Sequence, residues 1–389
     1  MNILFLLGPN VNPQNGGVAR ITHTLANKFI ENGHNIWYLG YRKVCEDDPD
    51  RQLYFPTAKL VSSNDNIKYL EKLLIEKSID IVIVQHNPCR EYLQMLQTCK
   101  VKHSFSIVSC FHNLVLTQVQ NYAYLHEYKL RNRHLTFIYK VIKNRCVKKL
   151  LVGLYILKYR SLYKYVIDNS DISIVLSEGQ KYEILKMIGR KFDNSIKIIP
   201  NCCDEKNANI TDKSNEVLWV GRVDCDVKRI DFMIDVWSKI QKKHPNWILR
   251  VLGDGPALQE IKRSTVRSNI NNIIFEGRVI PDAYYDRAKI LCVTSSLESF
   301  SLVTIEAKMH GVVPVVQNSF PIASEIVNHG VDGLLVNPFN LNEFTETLSC
   351  LMSDEILIKK YSDCAMLSSR IYLPERIISM WEELFKTYC

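Results

Sequence analysis

Two cations and two carboxylates stand out in the C-terminal half of the 389-residue chain. Arg222 and Lys228 lie in VGRVDCDVKR, residues 220–229, and Glu298 and Glu306 lie in TSSLESFSLVTIEAKMHGVVPVV, residues 294–316. An arginine offers a planar fork of donors and a lysine a compact charge, and together they suit a diphosphate. Two solvated loop cations are the plain alternative. Asp224 and Asp226 in the same stretch have the look of a metal-binding pair, but two acids in a polar loop are common, and no metal site is expected there. The eight-residue spacing of the glutamates carries no information by itself; their surroundings do. ILCVTSS reads as a strand, LESFS as a loop and LVTIEAKMHG as a helix ending at Gly311. Loop N–H groups and a helix N-terminus attract phosphate oxygens, and a carboxylate on each flank can accept hydrogen bonds from sugar hydroxyls. Ordinary capping and dipole stabilisation compete with that reading.

Further candidates come from the N-terminal half. Gly16 and Gly17, in NPQNGGVAR, make a permissive turn just before a helical pattern and would let backbone N–H groups approach a phosphate. His112 follows the apolar run SIVS, so it stands at a strand end; a lone histidine there is as readily structural as functional.

These residues need elements to hold them. NILFLLG, NIWYLG, IDIVIV, SIVS and ISIVLS read as buried strands in the first half. Helical patterns separate them, the first from about Val18 to Glu31. After the polar stretch DEKNANITDKSN, residues 204–215, the pattern restarts with VLWVG, WILRVLG, NIIFEG, ILCVTS and VVPVVQ. Continuous Ile/Val strands alternating with helices mark an α/β chain whose parallel sheets are covered on both faces. The expected architecture is two similar Rossmann-like doubly wound domains facing a cleft at the carboxyl ends of their strands. PERIISMWEELFKTY reads as a terminal amphipathic helix.

Composition agrees: the length suits two domains of roughly 150–200 residues. With 47% hydrophobic and 23% charged residues, the balance is that of a globular protein. MNILFLLG lacks a basic leader and reads as a first strand, and the apolar run Leu150 to Leu157 is far short of the ~20 residues a spanning helix needs. The twelve cysteines are scattered without a CxxC pair, which suggests free thiols in a reducing cytosol and argues against zinc.

The charge of +8 is uneven: residues 122–167 hold eleven Lys and Arg against one acid, Glu127, so the rest of the chain sums to −2. Within that stretch Lys140, Lys143, Arg145, Lys148, Lys149, Lys158, Arg160 and Lys164 are interleaved with large apolar residues. A solvated helix face is one reading. An interfacial helix on an anionic membrane surface is the other, favoured by the scarcity of acids. Nucleic acid is not an expected partner, because no recognised nucleic-acid motif accompanies the patch.

Taken in order, IIPNCCD (198–204), VGRVDCDVKR, LGDGP, FEGRV, ESFSLVTIE and SEIVNHGVDGLLV resemble the retaining glycosyltransferases of family 4, which have the GT-B fold. The resemblance implies an N-terminal acceptor-binding domain over 1–200 and a donor-binding domain over 201–370, with the terminal helix 371–389 packing back on the first. It implies transfer of a sugar, of hexosyl type, from a nucleotide-diphosphate sugar, UDP more than GDP, to a glycan or lipid-linked glycan acceptor. Arg222 and Lys228 would grip the diphosphate, Glu306 the ribose, and Glu298 the donor sugar. The backbone from Ser299 through Phe300 and Ser301 to Leu302 would line sugar and phosphates. Arg278 and Val279 would face the base, and Asn201 would join the donor-binding set. His112 would approach the transferred sugar, with Gly16 and Gly17 as the N-terminal glycine loop. No cofactor beyond the donor and no metal is implied, and the basic stretch would place the enzyme, cytoplasmic and peripheral, on the inner face of the cytoplasmic membrane. Glu298-Ser299-Phe300 departs from the family's Glu-Gly-Phe, and Phe320-Pro321 replaces a glycine pair before Glu325. A non-catalytic module of the same fold, or a sugar-nucleotide epimerase of related fold, are the competing classes; a dinucleotide oxidoreductase is not, since GPNVNPQNGG lacks GxGxxG.

Overall fold

A computed structural model describes residues 1–12, 16–43, 50–58, 62–85, 88–132, 135–204 and 213–388. Most of the polar stretch 204–215 (205–212), part of the glycine loop (13–15) and Arg133 of the basic stretch therefore lie outside the described residues.

The chain divides into two compact units, one made of Met1–Asn113, Tyr155–Cys202 and Pro374–Cys389, the other of Leu114–Leu154 and Cys203–Leu373. The boundaries expected from sequence put 114–154 in the first domain, whereas the structure groups it with the second.

The first unit holds a parallel sheet of seven strands: β1 (Asn2–Leu6), β2 (Asn35–Gly40), β3 (Gln52–Tyr54), β4 (Ile81–Val84), β5 (Ser106–Cys110), β6 (Ile172–Val175) and β7 (Ile196–Ile198). Their order is β3-β2-β1-β4-β5-β6-β7. Ile3, Leu4, Phe5, Leu6 and all of β4 are buried, as strands covered on both faces require. The terminal helix Pro374–Tyr388 belongs to this unit, with Trp381 and Phe385 edge-on to Phe29 of the helix Gly17–Glu31 and Glu382 paired with His34 at 2.8 Å.

The second unit repeats the design with β8 (Ser214–Val220), β9 (Ile248–Leu252), β10 (Ile273–Gly277), β11 (Ala288–Val293), β12 (Val313–Gln317) and β13 (Leu334–Val336), in the order β10-β9-β8-β11-β12-β13. All pairings are parallel. Its core gathers Trp219, Met233, Trp237, Trp247, Leu249, Ile290, Val313 and Phe344. In each sheet the strand order runs outward both ways from a central pair, β1/β4 and β8/β11. In open parallel sheets ligands bind outside the carboxyl ends of such a pair, because the crossovers diverge there and leave a crevice.

The segment 114–154 owes its place to side chains far from it in sequence. Tyr124 stacks on Phe339, rings 3.5 Å apart; Glu127 accepts from Arg229 Nη2 at 3.0 Å; Lys129 pairs with Asp226 and Tyr128 donates to Glu260.

Candidate active site

The loop 221–229 leaves the carboxyl end of β8. Asp224 builds it: its buried Oδ1 accepts the backbone N–H groups of Asp226, Val227 and Lys228 at 3.2, 2.7 and 2.9 Å, and Oδ2 accepts Arg222 Nε at 2.9 Å. Asp224 is thus the internal template of the turn, and Asp226 faces Lys129. Arg229 closes the loop in a left-handed conformation, φ 56°, at the start of the helix Ile230–Ile240. Burial works against its guanidinium charge, yet Asp231 and Glu127 beside it hold its pKa up. Burial raises the pKa of Asp231 to about 6, against the opposing pull of Arg229.

Across the central pair, the loop 294–301 leaves β11. Thr294 Oγ1 accepts Trp219 Nε1 at 2.9 Å and lies 2.9 and 3.0 Å from the carbonyl oxygens of Lys228 and Arg229; Ser296 N–H donates to Val227 O at 2.7 Å. The two loops are therefore laced together. Glu298 Oε1 accepts from Lys228 Nζ and, at 2.7 Å, from Ser295 Oγ. With side chains only 22% and 12% exposed, the expected diphosphate cation and the expected sugar contact form an ion pair screened from water. Arg222, by contrast, is 64% exposed beyond its bond to Asp224.

Phe300 is buried edge-on to Tyr372, while Ser299 and Leu302 are half-buried. Ser301 adopts φ 54°, ψ 57° at the start of the helix Leu302–Met309, with its Oγ 2.8 Å from Thr304 Oγ1. A left-handed serine costs free energy, and such strain gathers where a loop must present its groups in one arrangement. Glu306, on that helix, is half-buried and accepts Tyr285 Oη at 3.3 Å. Arg278 and Val279 are exposed just past β10. Arg222, Lys228, Glu298, Ser299, Phe300, Ser301, Leu302, Glu306, Arg278 and Val279 thus all sit beyond the carboxyl ends of strands of one sheet.

The remaining candidates lie in the first unit. His112 follows β5, and its Nε2 bonds Gln85 Oε1 just past β4, which assigns the ring proton to Nε2. Burial lowers its pKa to about 4, so the imidazole is neutral near pH 7. Gly16, φ 119°, caps the helix Gly17–Glu31, a backbone shape that L side chains rarely adopt. Asn201 is buried.

Of the basic residues, Lys140, Lys143, Arg145 and Lys149 are exposed on the helices Thr136–Lys143 and Arg145–Asp168, beside exposed Phe137, Ile138, Val141, Leu150 and Leu154. Phe137 is 77% and Leu150 62% exposed. Lys143 and Lys148 lie 5.3 and 4.9 Å from the Tyr124 ring centroid, and burial, then Lys143, lowers the pKa of Lys148. In the first unit Lys158, Arg160 and Lys164 are exposed, and Arg160 Nε also donates to Met187 O at 3.2 Å. No helix among the described residues is long and apolar enough to cross a membrane.

Sequence reasoning missed Ser295, Tyr285 and Asn121, the last a buried amide that bonds the carbonyls of Ser296 and Ser319. None carries a spacing signal; only the fold brings them to the loops.

Two parallel-sheet units of this topology make the GT-B fold. Residues 204–366, which lie within the second unit, match the family described as Glycosyl transferases group 1. The fold is shared with Anabaena HepE, solved in complex with UDP: TM-score 0.73 and 15% identity over 100% of each chain. An uncharacterised glycosyltransferase of Haemophilus influenzae is 30% identical over 230 residues, 57% of this chain and 64% of its own. A Campylobacter jejuni enzyme named as an alpha-1,4-N-acetyl-D-galactosaminyltransferase acting on a GalNAc-GalNAc-diNAcBac-PP-undecaprenol glycan is 26% identical over 204 residues, 51% of this chain and 56% of that one. The chain spans less than two thirds of the length of the curated relatives it matches.

Proposed function

We propose that the chain is a retaining glycosyltransferase of family 4, building bacterial cell-surface glycan from a nucleotide-diphosphate sugar. The observation that carries this reading is the placement of Arg222 and Lys228 opposite the Glu298 loop at the β8/β11 switch point. UDP is the preferred nucleotide, in keeping with HepE, and the acceptor is a glycan or lipid-linked glycan, in keeping with the Campylobacter relative. The bond from the sugar anomeric carbon to the diphosphate breaks and the acceptor oxygen bonds that carbon from the same face. The acceptor proton passes to the leaving diphosphate. Lys228 releases Glu298 and, with Arg222, holds the charge that develops on that diphosphate, leaving Glu298 for the sugar hydroxyls; no metal is required for that task. Within the first unit, His112 is neutral near pH 7 and therefore serves as a hydrogen-bonding group and not as a charge.

A thermal-shift panel of UDP-, GDP- and ADP-sugars without added metal tests the reading, followed by donor hydrolysis on any hit. Stabilisation by UDP-sugars supports it; none by any nucleotide rejects it in favour of a non-catalytic module. Glu306 is the proposed ribose contact, so Glu306→Ala weakens UDP by about ten- to a hundredfold while leaving 2′,3′-dideoxy-UDP unchanged, as calorimetry would show. Equal losses for both ligands remove Glu306 from the ribose.

The exposed apolar and cationic face of 136–154 supports a peripheral location on the inner face of the cytoplasmic membrane. In flotation at low salt the chain is expected to rise with anionic vesicles at least about tenfold better than with neutral ones, and to lose that preference when Lys140 and Lys149 become Glu. Equal recovery with both vesicle types defeats the electrostatic attachment.

A further inference from the structure

The segment 114–154 comes from between β5 and β6, yet among its links to the loops of the second sheet is a buried amide side chain. Asn121 stands at the junction of the short helices Thr117–Gln120 and Tyr122–Leu125, and its Nδ2 donates to Ser296 O at 2.8 Å and to Ser319 O at 2.7 Å. Both partners are carbonyl oxygens, so the amide nitrogen must face them. A primary amide is suited to the place because one nitrogen supplies two donors without a charge.

The contacts continue to the carboxylate. Ser319 Oγ donates to Ser295 O at 2.6 Å, and Ser295 Oγ donates to Glu298 Oε1 at 2.7 Å. A run of hydrogen bonds therefore leads from Asn121 through the strand-end loops after β11 and β12 to Glu298. Gln317 ties the same strand ends together, donating to Thr294 O at 2.9 Å and accepting from Phe339 N–H at 2.7 Å. Gln317 is local to the sheet; Asn121 is the inserted segment's tie to the loops after β11 and β12.

We infer that Asn121 is a positioning residue: it fixes the spacing of the 294–301 and 318–320 loops and thereby sets the Glu298 carboxylate for the donor. This rests on the reading of Glu298 as a donor contact, although the loop-fixing half stands without it. Asn121 touches no reacting atom and acts through Ser296, Ser319 and Ser295.

Asn121→Asp separates positioning from bulk, because shape is kept while a carboxylate is set against two carbonyl oxygens. Amide hydrogen exchange on the whole chain without nucleotide is the first readout. The N–H of Ser296, which donates to Val227 O at 2.7 Å, is expected to exchange about tenfold faster, with residues 294–301 and 317–322 following. β9 and β10 keep their protection. The excess exchange over the parent at the same pH shrinks from about pH 8 to about pH 5, because the introduced carboxyl, its pKa raised by burial and by the carbonyls, regains a proton to donate. A loss of packing alone has no such pH signature. Asn121→Leu, which lacks both donors and any titrating group, shows the faster exchange at every pH and guards against misfolding of the acidic variant. UDP affinity falls about tenfold in both variants at neutral pH. Parent-like exchange in both loops overturns the inference even if UDP binds the parent. If the parent binds no nucleotide, the donor reading fails, and the exchange data still decide whether Asn121 holds the loops.

Discussion

Lys228→Ala is expected to remove stabilisation by UDP and to lower sugar transfer by about 10²–10³-fold, the range found when a single preorganised donor to a developing negative charge is lost. Two effects add. The ammonium that would meet the diphosphate is gone, and Glu298 keeps Ser295, among the described residues, and the solvent to balance a screened carboxylate. A diphosphate entering that site meets an unpaired negative charge in place of a released lysine. Arg222→Ala should cost less, because that side chain is 64% exposed and its field is diluted by water. Glu298→Gln should separate the roles: Lys228 is freed, so UDP itself binds several-fold tighter, while transfer slows because the sugar loses its carboxylate. Calorimetry with UDP and a transfer assay with the UDP-sugar identified by thermal shift read the two halves. If Lys228→Ala still binds UDP like the parent, the diphosphate has been assigned to the wrong cations.

The fold was legible because burial on both faces writes itself into sequence as short apolar runs; β1, β4, β5, β6, β8, β11 and β12 announce themselves in that way. Of the four edge strands, β3, β7 and β13 have three residues each and pair on one side, so they lack the length and the two-sided burial that make a strand visible; β10, with five residues, is long enough to be read. The β8 and β11 loops were legible as sites because their charged residues follow strand ends directly. What those charges do to one another was not. Lys228 and Glu298 are 70 residues apart, and nothing in either stretch says that each neutralises the other before a ligand arrives. Asp224 looked like half of a metal pair, and only the path of the loop shows its carboxylate already filled by three backbone N–H groups and Arg222. The placement of 114–154 was hidden for the same reason: Asn121 to Ser319 spans 198 residues and Glu127 to Arg229 spans 102, beyond any periodicity.

Gly253→Ala should destabilise the second unit by about 3 kcal/mol or more, the sum of overpacking and backbone strain. Gly253 sits at φ 142°, and a Cβ there would fall 1.8 Å from Gly221 O and 2.9 Å from Gly221 C. A side chain could turn away from such an approach; this is backbone against backbone. The backbone is also pinned, since Gly253 N–H donates to Gly277 O at 2.7 Å and Gly221 N–H to Leu252 O at 3.0 Å, joining the ends of β8, β9 and β10. Relief means pushing Gly221 away, and Gly221 immediately precedes Arg222. The substitution should therefore disturb the diphosphate loop even at temperatures where the unit remains folded, and UDP affinity should fall with stability. Gly153→Ala is the natural comparison: Gly153 lies inside the helix Arg145–Asp168, a Cβ there would meet nothing within 4 Å, and alanine should stabilise by roughly 0.5–1 kcal/mol. Trp219, Trp237 and Trp247 are all buried in the second unit, so tryptophan fluorescence during urea unfolding follows that unit chiefly. A Gly253→Ala midpoint within about 0.5 kcal/mol of the parent would mean that the two loops do not meet at Gly221 as described, and the close backbone approach that shapes the Arg222 turn would have to be abandoned.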